Sequence, residues 1–275
     1  RQSASSRTKR MTRSLPSILE QIVADTKGII SQRTSEIPIS RLEASAYFNR
    51  PPLSLKKALL EKNFAIIAEA KKASPSKGII RAQFDPVSIT QSYQNAGAAA
   101  VSILTEPLHF QGDISYLDAC RGGLTIPILR KDFIVDPYQV IEARAHGADA
   151  VLLIAAILSR SQLSELQAAA DENNLSTLVE AYHESELERI EFDKSPVIGV
   201  NSRDLHTFEV DLNRAIRMLN AIPQECVRVA ESGIGSTTDL NLLKENNIHA
   251  ALIGESFMRS EDPGEALKTF ISSLA

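Results

Sequence analysis

The chain has 275 residues, 43% of them hydrophobic, with 34 acidic against 30 basic side chains. This composition suits a soluble globular fold with a sizeable core, and its slight negative balance excludes the basic footprint of a nucleic-acid or anionic-membrane binder. No apolar stretch approaches the roughly 20 residues of a membrane helix. Cys120 and Cys226 lie far apart and outside any Cys-x-x-Cys pair, so they read as two reduced thiols of a cytoplasmic protein.

Residues 1–13 hold Arg1, Arg7, Lys9, Arg10 and Arg13 among serines, with no acid. Such a bias can mark an organelle transit peptide. Met11, however, is a natural initiator, and the segment is expected to be a disordered tail or an expression remnant without fold information. Residues 14–62 read as an N-terminal helical extension. Ser14 with Pro16 gives a cap and first turn, and Ile18, Leu19, Ile22 and Val23 share one apolar face at helical spacing. The segment is too small to stand alone and should pack onto the domain that follows, residues 63–275.

From residue 64 a regular beat appears. Apolar, strand-like runs occur at "FAIIAEAK" (64–71), "AAVSILTE" (99–106), "PILRKDF" (127–133) and "AVLLIAAI" (150–157). Four more follow at "STLVEAY" (176–182), "PVIGVNS" (196–202), "VRVAESG" (227–233) and "HAALIGES" (249–256). Helical patterns separate them; Asp136–Pro137 opens one of these and Gly147 suits its end. Eight strand–helix units in about 210 residues predict a single (β/α)8 barrel. A doubly wound open sheet would carry a Gly-x-Gly-x-x-Gly turn after its first strand, where this chain has "EAKKASPSKG".

The polar residues of these runs sit in one place. In a barrel, alternate strand residues point inward and the C-terminal ends form the active-site face. Lys131 shares a strand face with Leu129 and Phe133, whereas Arg130 and Asp132 share the other face, toward the helices, where they can pair. Glu69 and Lys71 lie two apart on the first strand, Glu180 ends the fifth, Asn201 and Arg203 the sixth, and Glu231 and Ser232 the seventh. One inward charge is as readily a structural ion pair as a functional group. Two lysines and three glutamates on one rim are costly to bury without a task. The glycines of "ESGIG" and "IGES" after strands seven and eight would let backbone N–H groups approach an anion, at the usual phosphate position of such barrels. The five histidines are scattered without ligand spacing, so a metal site is not expected.

The stretches "IIAEAKKASPSKG", "ILTEPLHFQG", "PILRKDFIVDPYQV", "VEAY", "IGVNSRDL", "VAESGI" and "ALIGESFM" resemble, in order, the motifs of indole-3-glycerol phosphate synthases. The resemblance spans residues 66 to 258. It implies closure of a pyrrole ring on 1-(2-carboxyphenylamino)-1-deoxyribulose 5-phosphate, with loss of carbon dioxide and water and without a cofactor. By the same resemblance, Lys131 protonates the ketone oxygen as general acid. Lys71 binds the substrate's carboxylate or phosphate side and assists dehydration, and both lysines are charged at rest. Glu180 does the later acid–base work, Glu69 holds the lysines, and Glu231 supports the network or the sugar hydroxyls. Asn201 donates to a substrate hydroxyl and Arg203 meets a carboxylate, while Ser74, Ser232, Gly233, Gly254 and Ser256 cradle the phosphate. Ser202 and Phe257 depart from the family's frequent residues, asparagine and leucine.

Two other readings compete. Phosphoribosylanthranilate isomerases use a Cys/Asp pair on strands one and five, where this chain has Glu69, Lys71 and Glu180. A non-catalytic barrel that binds a phosphate ligand would not need the complete charged set. The only partner expected is a small phosphorylated substrate, with no nucleic acid, no membrane and no obligate protein partner.

Overall fold

Three Asp–Pro pairs show how the chain opens its helices. Asp85, Asp136 and Asp262 each accept a hydrogen bond from a backbone N–H of the following turn. Pro86, Pro137 and Pro263 fill first-turn positions that need no N–H of their own. Gly147, with φ +86, follows the end of the helix Pro137–Ala145.

The computed structural model describes residues 17–204, 207 and 209–273. The expectations for the tail 1–13 and for a Ser14–Pro16 cap lie outside these residues. Ser17 caps helix α1 (Ile18–Glu36) by a reciprocal pair with Glu20. Two short helices follow, Ile39–Glu43 and Leu55–Leu60.

Eight strands come next: β1 (Ala65–Ala70), β2 (Ala100–Leu104), β3 (Ile128–Lys131) and β4 (Ala150–Ile154), then β5 (Ser176–Ala181), β6 (Val197–Asn201), β7 (Val227–Glu231) and β8 (Ala250–Ile253). Each pairs in parallel with its neighbours, and β8 closes on β1, so the fold is a (β/α)8 barrel preceded by a helix. All eight strands end one to three residues before their apolar runs do, and two stop three short. β4 ends at Ile154 in a turn over 155–157. β8 ends at Ile253 because Gly254 leaves the extended region (φ −134, ψ −60) and Glu255–Met258 forms one helical turn. A two-stranded ladder, Ala73–Ser74 with Gly78–Ile79, shapes the loop after β1.

Inward positions alternate along each strand. Ile67, Leu129, Leu152, Leu178, Val229 and Leu252 fill the barrel as one cluster. Leu55 and Leu59 plug its N-terminal end, fully buried. Beside them Asp149, at the start of β4, accepts four hydrogen bonds. Its Oδ1 meets Arg50 Nη2 at 2.6 Å and the Leu53 N–H at 2.8 Å, and its Oδ2 meets Arg121 Nη1 at 2.5 Å and the Ile128 N–H at 2.8 Å. At the opposite end, Ile22 of α1 is buried and Ile18 and Leu19 are half-buried against the same apolar cluster. Among the described residues no helix is long and apolar enough to cross a membrane.

Candidate active site

Register brings the inward strand ends to a common level. Ile154 is beside Glu180, Leu104 beside Lys131, Asn201 beside Glu231, and Glu69 beside Ser102. All of these but Ser102 line a cavity of about 450 Å³ at the C-terminal end of the barrel. Its walls include all twelve residues singled out from the sequence: Glu69, Lys71, Ser74, Lys131, Glu180, Asn201, Arg203, Glu231, Ser232, Gly233, Gly254 and Ser256. Arg130 and Asp132, on the outer face of the same strand end as Lys131, pair at 3.0 Å as their alternation requires.

The charges are organised around the two ammonium groups. Lys131 Nζ donates to Glu231 Oε2 at 2.7 Å and to Glu180 Oε2 at 3.3 Å. Lys71 Nζ lies 2.8 Å from Glu69 Oε1, and Asn201 Nδ2 donates to Glu180 Oε1 at 3.3 Å. Burial by itself would lower the Lys131 pKa, but the carboxylates of Glu231, Glu180 and Glu69 hold it above the usual lysine range, so the ammonium persists. Burial likewise pushes Glu69 up, and Lys71 and Lys131 more than reverse this, leaving it below the usual carboxylate range. Glu231 behaves oppositely. Burial, reinforced by Glu180, overcomes the pull of Lys131 and raises it to about 8. The two shifts on the Lys131–Glu231 pair are compatible because three carboxylates face two ammonium groups. The ammonium keeps two other anions, and the most enclosed carboxylate takes up the spare proton.

Two glycines, Gly254 at the rim and Gly199 within β6, have roles that composition did not reveal. A Cβ on Gly254 would come within 2.7 Å of Glu69 Oε1, and one on Gly199 within 2.1 Å of Glu231 Oε1. These glycines therefore make room for glutamates, rather than only letting backbone approach an anion. Ser232 (φ +66) and Gly233 (φ +67) are both left-handed, a costly conformation for serine and one that clusters at functional sites. Among the described residues, Ser256 Oγ and Glu231 Oε1 are buried without a hydrogen-bond partner. Ser74 Oγ lies 3.5 Å from Ser76 Oγ. Arg203 Nη2 is 3.4 Å from Glu255 Oε2, and Arg259 Nη2 is 3.1 Å from Glu255 Oε1, so both guanidiniums reach the rim through one carboxylate.

Other lining residues were not assigned to the site by sequence reasoning. Phe110 and Phe133, with ring centroids 6.0 Å apart, join Leu152 and Ile154 in an apolar wall, roofed by Ile18, Leu19 and Ile22. The apolar face of α1 was legible, but not its destination. Phe110 reaches the wall because Glu106, buried in the loop after β2, accepts the N–H groups of Leu108, His109 and Phe110 at 3.0, 2.6 and 2.9 Å. Nothing local in "EPLHF" marks that turn. Of the two departures, Ser202 is closer to the site than its position implied, since its hydroxyl donates to the Ser232 carbonyl at 2.7 Å. Phe257 packs in the helix layer against Tyr93 and Phe270.

Comparison with known proteins bears on this geometry. The family model of indole-3-glycerol phosphate synthase matches residues 19–270. An indole-3-glycerol phosphate synthase of Salinibacter ruber is 51% identical over 253 residues, covering 91% of this chain and 94% of the relative. One of Polynucleobacter necessarius subsp. necessarius is 43% identical over 267 residues, covering 94% of this chain and all of the relative. Among solved structures, a 3-hexulose-6-phosphate synthase superposes with a TM-score of 0.63 at 12% identity, over 77% of this chain and all of its own, a likeness of fold alone. With the matched region running from α1 through the last helix, the chain belongs to the indole-3-glycerol phosphate synthase family.

Proposed function

We propose that the chain is an indole-3-glycerol phosphate synthase of tryptophan biosynthesis, and that its charged cluster performs the ring closure, decarboxylation and dehydration of 1-(2-carboxyphenylamino)-1-deoxyribulose 5-phosphate. The observation that carries this reading is the division of one cavity into an apolar wall, a central Lys–Glu network and a serine–glycine rim. The aromatic ring of the substrate lies against Phe110 and Phe133, and the phosphate at the rim near Ser74, Ser232, Gly233, Gly254 and Ser256. Ser256 Oγ, buried without a partner, supports that end of the assignment. Its phosphorylated substrate is a small molecule. Two free, buried cysteines fit a cytoplasmic place of work.

The chemistry follows from the charges. The ring carbon bearing the carboxylate attacks the ketone, and negative charge grows on the ketone oxygen. An ammonium held above its ordinary range releases a proton only to a strong base, and a nascent alkoxide is one. Lys131 therefore stabilises the developing charge and then protonates it. Loss of carbon dioxide restores the aromatic ring. The new hydroxyl then leaves as water, assisted by Lys71, while Glu180 takes a proton from the forming ring. Glu69 and Glu231 hold the ammonium groups, Asn201 meets a substrate hydroxyl, and Arg203 acts on a carboxylate from the rim.

Steady-state turnover, followed by the fluorescence of the indole product, tests the central role. Lys131→Met keeps the apolar stem and deletes the proton. Its kcat should fall by on the order of 10²–10⁴-fold or more, with a far smaller change in substrate binding. Lys131→Arg should not restore the rate, because a guanidinium with a pKa above about 12 is a poor acid. A folded Lys131→Met protein with kcat within a few-fold of the parent removes Lys131 from this role.

A further inference from the structure

Behind Lys131, on the outer face of β3, lies a second set of charges that the reaction does not touch. Arg130 is 1% exposed, yet its guanidinium is fully engaged. Nε donates to Thr105 Oγ1 at 3.1 Å, and Nη1 to the Gln139 carbonyl at 2.8 Å. Nη2 meets Asp132 Oδ2 at 3.0 Å and Glu142 Oε2 at 2.8 Å. Thr105 closes the circuit, its N–H donating to the Lys131 carbonyl at 3.1 Å and its hydroxyl to Asp132 Oδ2 at 2.6 Å. Asp132 Oδ1 accepts the N–H of Phe133 at 2.8 Å. Glu142 also faces outward to α1, where Arg33 Nη1 donates to both its oxygens at 3.2 Å.

From these contacts we infer that Arg33, Glu142, Arg130 and Asp132 form a positioning chain, which fixes the strand end carrying Lys131 and couples it to the N-terminal helix. The set holds two guanidiniums and two carboxylates, so it is balanced in charge. A structural ion pair needs one partner and can often be replaced by apolar side chains at little cost. This chain instead ends on the residues that adjoin Lys131: Asp132 after it, Phe133 beyond, and Thr105 across the ladder. Strand β3 has only four residues, and its last is Lys131. Without the buried guanidinium the strand end has little to set its direction, and an ammonium displaced by about 1 Å can lose on the order of 10²-fold in rate. The α1 helix touches both sides of the problem. Arg33 anchors its C-terminal turn to this chain, while Ile18 and Leu19 at its other end roof the cavity.

The inference rests on the role proposed for Lys131, and the test separates the two. Arg130→Lys keeps the charge but cannot reach four acceptors at once. Its kcat should fall about tenfold or more with KM nearly unchanged, because the displaced group acts in the transition state. Since a fully buried variant can fail to fold, Arg33 supplies the second arm, at a side chain 22% exposed. Arg33→Met should fold and lose about three- to tenfold in kcat by loosening the far end of the same chain, whereas Arg33→Lys should recover most of it. Melting temperature is read alongside. If Arg33→Met loses stability while turnover per folded molecule stays within twofold of the parent, the contacts are structural only and the inference is overturned. If Lys131→Met also keeps its kcat, the failure lies in the proposed role of Lys131; if Lys131→Met is inactive, only the positioning chain fails.

Discussion

The two ends of the barrel treat charge in opposite ways. At the N-terminal end, one carboxylate, Asp149, is surrounded by two arginines and two backbone N–H groups, and each of its oxygens accepts two bonds at 2.5–2.8 Å. At the C-terminal end three carboxylates face two ammonium groups across a cavity, and Glu231 Oε1 and Ser256 Oγ have no partner. Both sites are buried and rich in charge, so neither burial nor charge separates structure from function. Saturation of the carboxylate does. Asp149, with both oxygens twice bonded, can accept nothing more, although Arg50 Nε beside it has no partner among the described residues. Glu231 Oε1 at the other end keeps a deficit for a ligand to fill.

The largest change should come from the saturated end. Asp149→Ala leaves Arg121 and Arg50 without their shared counter-charge, and breaking such a buried set typically costs about 3–5 kcal/mol. Denaturant unfolding should report that loss, while turnover per folded molecule stays close to the parent. A loss under about 1 kcal/mol would break the comparison.

At the open end, a small intrusion should act on rate more than on stability. Gly199→Ala sets a methyl group 2.1 Å from Glu231 Oε1 and 3.3 Å from Leu178 Cδ1, so the carboxyl must swing away from Lys131. We expect kcat to fall on the order of tenfold or more, with a modest shift in melting temperature. An unchanged kcat would mean that Lys131 does not depend on Glu231.

A slope is the smallest expected effect. Glu231 holds its proton more tightly when folded, with its pKa moved from an ordinary 4.5 to about 8. Its contribution to stability is fully present below the unfolded value and is lost as pH rises through the folded one. Stability of the parent should therefore decline between about pH 4.5 and about 8 more steeply than that of Glu231→Gln. Glu69, held low, acts in the reverse sense and only as pH falls through the acidic range, and Lys131, held high, acts only at alkaline pH. Parallel curves for the two proteins across this window would show that Glu231 is already ionised at neutral pH.

Much of the working rim was readable from period-two alternation. Once "PILRKDF" is a barrel strand, Lys131 and Arg130 must face opposite ways, and Glu69, Glu180 and Glu231 follow by the same count. The Asp136–Pro137 pair placed the start of one helix, Pro137–Ala145. What stayed hidden are contacts between residues with no common pattern. Arg50, Arg121 and Asp149 span about a hundred positions, as do Arg33 and Glu142. Each of these reads locally as a solvated charge. Gly254 after β8 was legible as a small residue, but the volume that it and Gly199, within β6, leave belongs to glutamates on other strands, which only the closed sheet reveals. The run "HAALIGES" extends past its strand because nothing local marks Glu255–Met258 as a helical turn, although Gly254 is a usual place for a strand to end.

The roof formed by α1 has an evolutionary consequence. Ile18, Leu19 and Ile22 contact the apolar side of the cavity from a helix that supplies no strand to the barrel and none of the twelve rim groups. Substitutions at Ile18, Leu19 or Ile22 can reshape the space above the aromatic wall without removing a ladder bond, a rim group or the Arg33 contact to Glu142. The roof and the charged rim are thereby carried by different stretches of chain, joined through Arg33 near the other end of the same helix. A lineage could alter the roof by drift at Ile18, Leu19 or Ile22 while purifying selection holds Arg33 and the rim still.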